Sequence, residues 1–267
     1  MEEKKKRKKF SWSILLILLG IIIIGVAAVQ LIMIYLDYHK SNELYDNLES
    51  NYTTEYYQVK ENVDSEKPLE WYEMIDVDFD GLKEKNSDVS AWIFFENEEI
   101  SYPILFSGDD EYYLRRALDR SHATAGSLFL EGMNKPDFSD YHSIIYGHNM
   151  RNLSMFGKLK YYHDDEKYYP DHMYFQICTK EMKYRYQIFA YETVDAYDKL
   201  YTVPFGPTDD YQEFIQHILD ISERDTGLTP TKDDRIVTLS TCNDSVSGDD
   251  ERFVVHGYLI DSYEAKK

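Results

Sequence analysis

"RIVTLSTCNDSVSGDDERFVVHGYLI", Arg235 to Ile260, decides the fold. Two runs rich in β-branched residues flank an acidic loop, and that pattern predicts two neighbouring strands. A cysteine, Cys242, closes the first run, and an arginine, Arg252, opens the second ten residues later. A thiol at a strand end reads two ways: a small apolar residue closing the strand, or a nucleophile. Arg252 also reads two ways. The acids of "GDDE" just before it make a surface ion pair the plain reading, while a fixed cation near a thiol favours the thiolate and a developing oxyanion.

Working upstream, short apolar runs bounded by turn residues recur from Val89 onward: "VSAWIFFE", "ISYPILF", "GSLFLEG", "SIIYGHN", "HMYFQICT" and "KYRYQIFAYETVDAY". With the two runs above they make about eight strands, which predicts a mostly β domain closed into a barrel. One helix interrupts the series late. In "TDDYQEFIQHILDISERDTG", Tyr211, Phe214, Ile215, Ile218, Leu219 and Ile221 fall at helical spacing behind Thr208 as N-cap and an acidic first turn. "MRNLSMFGKLKYY" reads as a further short helix.

The chain has 267 residues, enough for one good-sized domain with appendages and a core that needs no disulfide staples. Its 25 tyrosines and 43% apolar residues exclude an acidic disordered chain. The formal charge of -20 is uneven, because residues 1–9 hold six basic and two acidic side chains and leave -24 to the rest. Such an acidic body repels phosphate backbones, so nucleic acid is excluded as a partner. The two cysteines give no disulfide framework, and Cys178, inside a strand-like run, reads as core.

From Ser11 to Leu36 the chain carries 26 uncharged residues, with Trp12 and Tyr35 near the ends. About 20 apolar residues span a bilayer, so the run predicts a membrane helix. A cleavable signal would have a shorter apolar region with its cleavage site after it, whereas "GVAAVQ" lies inside this one. The lysine-rich tail places the N-terminus in the cytoplasm and the remainder outside. The expected organisation is therefore a basic cytoplasmic tail over 1–10 and a transmembrane anchor over 11–36. A stalk or short N-terminal helices over 37–85 lead to a β domain over 86–267.

Among eight histidines, His148 is distinctive, since it follows "SIIY" through a glycine at a strand end. That position is rigid yet open to a cleft, although a structural histidine is the commoner case. His256 shares a strand face with Arg252 and is a rival base. It lies four residues along, about 13 Å away, too far if Arg252 neighbours the thiol. No H-x-x-x-H or C-x-x-C spacing predicts a metal site.

"YGHN", "TLSTC" and the arginine ten residues on, together with "SYPIL", "EYYL", "AGSLFLE", "MFGKL" and "RFVVHGYLI", make the chain resemble a sortase, and most closely a class B sortase. The likeness covers roughly residues 70–262. It implies an eight-stranded sortase-type barrel with N-terminal helices and a helix between the sixth and seventh strands. It also implies a membrane-anchored cysteine transpeptidase that uses no cofactor. Cys242 would attack the threonine carbonyl of a C-terminal sorting signal and form a thioester. His148 would serve as acid and base, and Arg252 would hold substrate and oxyanion. Leu114, Ser240, Thr241 and Asn243 would line the groove, with part of the segment from Tyr197 to Phe205 as another wall. The acceptor would be an amine of a cell-wall precursor or a pilin lysine. Two other classes stay open on the residues alone. A non-catalytic, membrane-tethered binding domain would use the tyrosines as contacts. An L,D-transpeptidase shares the Cys–His chemistry, but is expected to carry glycine where Thr241 stands.

Overall fold

The computed structural model describes residues 12–55, 69–242 and 250–265. The basic tail 1–10, Asn243 and most of the acidic loop lie outside the described residues, and Cys242 is described as the last residue of its strand.

The chain divides into two compact units, residues 1–40 and 41–267. In the first, helix α1 (Trp12–Tyr52) begins with a stretch of mean hydropathy 3.0 whose side chains are exposed, long and apolar enough to cross a membrane. The last turns of α1 belong to the second unit. There Tyr45 and Leu48 are buried, and the Tyr45 hydroxyl donates to the Gly126 carbonyl at 2.7 Å. Between α1 and the barrel come β1 (Thr53–Glu55) and β2 (Ile75–Val77), an antiparallel pair, followed by α2 (Phe79–Lys85). Asp78 caps α2 by accepting from the Gly81 amide at 3.0 Å.

Eight strands then close a barrel: β3 (Val89–Phe95), β4 (Ser101–Leu105), β5 (Leu128–Leu130), β6 (His142–Gly147), β7 (Tyr174–Cys178), β8 (Met182–Asp195), β9 (Ile236–Cys242) and β10 (Glu251–Glu264). Their order around the barrel is β10-β8-β7-β3-β4-β5-β6-β9. All eight runs picked out in the sequence are barrel strands. "VSAWIFF" and "HSIIYG" are buried nearly throughout because both faces are covered, so burial rather than alternation marks them. Two pairings, β4 with β5 and β6 with β9, are parallel, and the rest are antiparallel. A parallel neighbour needs a long crossover. The β4–β5 crossover, residues 106–127, carries "EYYL" and returns Leu114 to the barrel mouth.

Helices are few. The short helix expected from "MRNLSMFGKLKYY", residues 150–162, is not formed; only the last two of these residues enter a single turn, α3 (Tyr161–Asp164). The preceding residues form turns, and Leu153 and Met155 adopt φ of 68° and 53°, a left-handed conformation that a right-handed helix cannot contain. The late helix, α4 (Asp209–Ile221), lies between the sixth and seventh barrel strands. Thr208 caps it by accepting from the Tyr211 amide. Tyr211, Phe214, Ile215 and Ile218 are buried against Phe189, Ala190, Val194, Ile236 and Val254, while Leu219 and Ile221 pack at the margin.

Candidate active site

The end of β9 is where the chemistry-bearing residues meet, and strand register explains why. In the antiparallel pair β9–β10, Cys242 is directly opposite Arg252. In the parallel pair β6–β9, Gly147 is opposite Thr241, so the next residue, His148, leaves β6 beside the end of β9. Neighbouring strands are about 4.8 Å apart. One strand end thus has an imidazole-bearing residue on one side and a guanidinium-bearing residue on the other, although these three positions span about a hundred residues of sequence.

A cleft of about 210 Å³ opens there, lined by Asp110, Leu114, Phe129, Tyr146, Gly147, His148, Ser240, Thr241 and Arg252. His148 is half-buried, and its Nε2–H donates to the Leu114 carbonyl at 2.7 Å, which fixes the ring against the β4–β5 crossover. Arg252 is half-buried, and among the described residues its guanidinium donates to the Glu251 carbonyl, at 3.3 Å. Among the described residues it forms no ion pair with Asp250 or Glu251, so the surface-pair reading fails for those two. Asp249 lies outside the described residues.

Gly147 connects these facts to the sequence. A Cβ there would lie 2.4 Å from Leu128 Cδ2 and 2.6 Å from Phe156 Cδ2. Only glycine lets β6 run this close before the chain turns at His148. Gly147→Ala is expected to cost about 1–3 kcal/mol through overpacking. A thermal melt of the variant indistinguishable from wild type would show that the neighbours yield freely.

Ser240 and Thr241 are almost wholly buried, and Ser240 shares a hydrogen bond of 2.9 Å with the Tyr201 hydroxyl. Tyr201 belongs to the connection between β8 and α4, and its ring stacks near Tyr146 with centroids 6.3 Å apart. The Tyr197–Phe205 segment therefore meets the strand through Tyr201, whereas Tyr197 itself is fully out in solvent. Asp110, Phe129 and Tyr146 were not among the sequence candidates. For Tyr146 the signal was available, since it sits two residues before His148 on the same strand face. Behind it, Glu131 accepts from the Tyr146 hydroxyl at 2.7 Å, and burial, then the nearby Asp110 charge, raises the Glu131 pKa.

The rival groups are accounted for elsewhere. His256 is fully buried and bonds Glu192 at 2.8 Å and Thr238 at 2.9 Å, so it is inside the structure and not in the cleft. Cys178 is a free thiol, 1% exposed, and burial pushes its pKa up to about 12. Such a thiol is inert packing. His163 bonds Glu223, His217 bonds Asp198, and His172 stacks on Tyr168.

Comparison with known proteins places the site in a family. The family model described as "Sortase domain" matches residues 99–260. Sortase B of Listeria monocytogenes is 35% identical over 180 residues, which cover 67% of this chain and 72% of that one. The crystal structure of sortase B from B. anthracis in complex with AAEK1 superposes with a TM-score of 0.69 at 29% identity, over 85% of this chain and 99% of that one. The Staphylococcus aureus sortase B–substrate complex gives 0.70 at 25% identity, over 84% and 98%. An extended match in both sequence and fold decides against a binding domain of other descent and against an L,D-transpeptidase. The chain belongs to the sortase family of cysteine transpeptidases, and within it to the class B sortases.

Proposed function

We propose that this sortase cleaves a C-terminal sorting signal after threonine through a thioester on Cys242 and passes the protein to an amine. The observation that carries this reading is the register at the end of β9, with Cys242 opposite Arg252 and next to the exit of β6 at His148. Cys242 sulfur bonds to the threonine carbonyl carbon. His148 gives a proton to the departing amine as the carbon–nitrogen bond breaks. An incoming amine then attacks the thioester, His148 takes its proton, and the thiolate leaves. Arg252, with no acidic partner among the described residues, is available to the substrate carbonyl and its oxyanion. Leu114, Ser240 and Thr241 line the groove, and Asn243 is proposed on family likeness alone.

The apolar start of α1 supports a single-pass anchor, with the N-terminus cytoplasmic and the catalytic unit outside the cell. The proposed acceptor is an amine of a peptidoglycan precursor or a pilin lysine. A direct test is incubation with fluorogenic peptides of Leu-Pro-x-Thr-Gly, Ser-Pro-x-Thr-Gly and Asn-Pro-x-Thr-Asn type, followed by intact-mass analysis. Cleavage of at least one, with an acyl adduct on the peptide containing Cys242 that hydroxylamine removes, is the expected result. No cleavage and no adduct across the panel would refute the proposal.

Asp110 adds a preference. It is exposed at the cleft, its Oδ1 accepts from the Gly132 amide at 2.6 Å, and among the described residues no cation pairs with it. Lysine at the variable position is expected to exceed glutamate by up to about fivefold in kcat/KM, and the advantage should shrink in high salt. Equal rates at low ionic strength would remove Asp110 from recognition.

A further inference from the structure

Beneath α4, in an otherwise apolar layer, five groups form one unbroken chain of hydrogen bonds. His142 Nδ1 meets the Thr202 carbonyl at 3.0 Å, and His142 Nε2 meets Thr238 Oγ1 at 2.8 Å. Thr238 Oγ1 meets His256 Nδ1 at 2.9 Å, and His256 Nε2 meets Glu192 Oε1 at 2.8 Å. His142, Thr238 and His256 are fully buried, and Glu192 is 2% exposed. The aromatic rings of Phe214 and Phe205 flank His142, and that of Phe189 flanks His256.

The chain has a direction. A carbonyl only accepts, so His142 donates through Nδ1 to Thr202. Burial pushes the His142 pKa down to about 3, which keeps the ring neutral and leaves Nε2 an acceptor. Thr238 therefore donates its one hydroxyl proton to His142 and accepts from His256 Nδ1. His256 Nε2 and Glu192 Oε1 share a proton at the far end. Among the described residues, Thr238 is the one group that joins the two halves. The arrangement is costly for packing alone, because Glu192 Oε2 is buried without a partner among the described residues.

Its two ends explain the cost. One end is fixed in β8 and β10. The other is the Thr202 carbonyl, one residue from Tyr201, whose hydroxyl bonds Ser240 in the cleft. Thr238 itself is two residues before Ser240 and four before Cys242 on β9.

We propose that the Glu192–His256–Thr238–His142 relay is a positioning device that holds the Tyr201–Thr202 wall against β9 and so sets the groove for the sorting signal. The inference rests on the function proposed above, but only in naming the ligand. None of the four relay residues is a catalytic residue; they act through Tyr201 and Ser240.

Thr238→Val tests this, since it keeps the shape while removing both hydrogen bonds, and Thr238→Ser restores the hydroxyl. In peptide cleavage assays with the full chain, Thr238→Val is expected to raise KM about tenfold with kcat within about twofold, and Thr238→Ser to return KM to near wild type. Tyr201→Phe should raise KM as well, and the double variant should be no worse than the poorer single, because both act on one wall. A lowered melting temperature with unchanged KM, or fully additive effects, would overturn the proposal. If Thr238→Val does not fold, Glu192→Gln reads the same quantity, with KM expected to rise about threefold and an unchanged KM counting against the relay. Labelled-histidine and tyrosine NMR supplies a readout that needs no turnover. Wild type should show both His142 and His256 protonated at Nδ1, and the Tyr201 ring signals should shift in Thr238→Val. Unmoved Tyr201 signals would sink the positioning role even if the enzyme proved inactive on every peptide, an outcome that would separately refute the proposed function.

Discussion

Cys242→Ala is expected to abolish peptide cleavage and acyl-adduct formation, a loss of at least about 10⁴-fold, which is the scale on which nucleophile deletions fall. The chain holds no thiol that could substitute. The other cysteine, Cys178, is 1% exposed on the barrel wall, and burial holds its thiol in the protonated form at any physiological pH. Alanine at a strand end costs little backbone order, so circular dichroism and the melting temperature should stay close to wild type. Residual turnover above a boiled-enzyme control would mean that the attacking group is elsewhere.

Arg252→Lys is expected to lower kcat by about 10²–10³-fold, the range found when one donor to a developing oxyanion is lost. Lysine keeps the charge but not the planar fork, and its shorter donor set cannot reach two acceptors in one plane. The present geometry favours arginine for a second reason. Its stem leaves β10 directly opposite Cys242, and among the described residues the guanidinium is tethered by the Glu251 carbonyl at 3.3 Å alone. Steady-state kinetics should show the loss mainly in kcat; wild-type turnover in the lysine variant would take Arg252 out of the mechanism.

Much of this arrangement is legible in the sequence, for reasons that differ by element. The eight strands are readable because each is a compact apolar run between turn residues, down to the three-residue β5. The Cys242–Arg252 relation is readable because the two residues border one loop joining neighbouring strands. His148 stood out for its glycine and its strand-end position, but its nearness to Cys242 depends on β6 lying parallel to β9, and no local pattern encodes that pairing. Asp110 and Phe129 escaped for the same reason, since they reach the cleft through the crossover after β4 and through β5. The segment after His148 misled because its apolar spacing fits a helix while Leu153 and Met155 take left-handed backbone conformations. The interior relay was invisible. Thr238, His142 and His256 look like unrelated residues on three strands until the register places both histidines beside one hydroxyl.

The closure of the barrel limits how a peptide can be caught. Every one of the eight strands has a neighbour on each side, so the sheet offers no open edge to an incoming chain. Many peptide-binding domains gain affinity by letting the ligand join as an extra strand, and the closed barrel does not offer that route. A sorting signal must instead be held by side chains and loop groups around a shallow mouth. Main-chain hydrogen bonding would be indifferent to sequence, whereas side-chain pockets are not. On the function proposed above, the same closure that protects the barrel from sticking edge to edge leaves the choice of protein tail to side chains and loops.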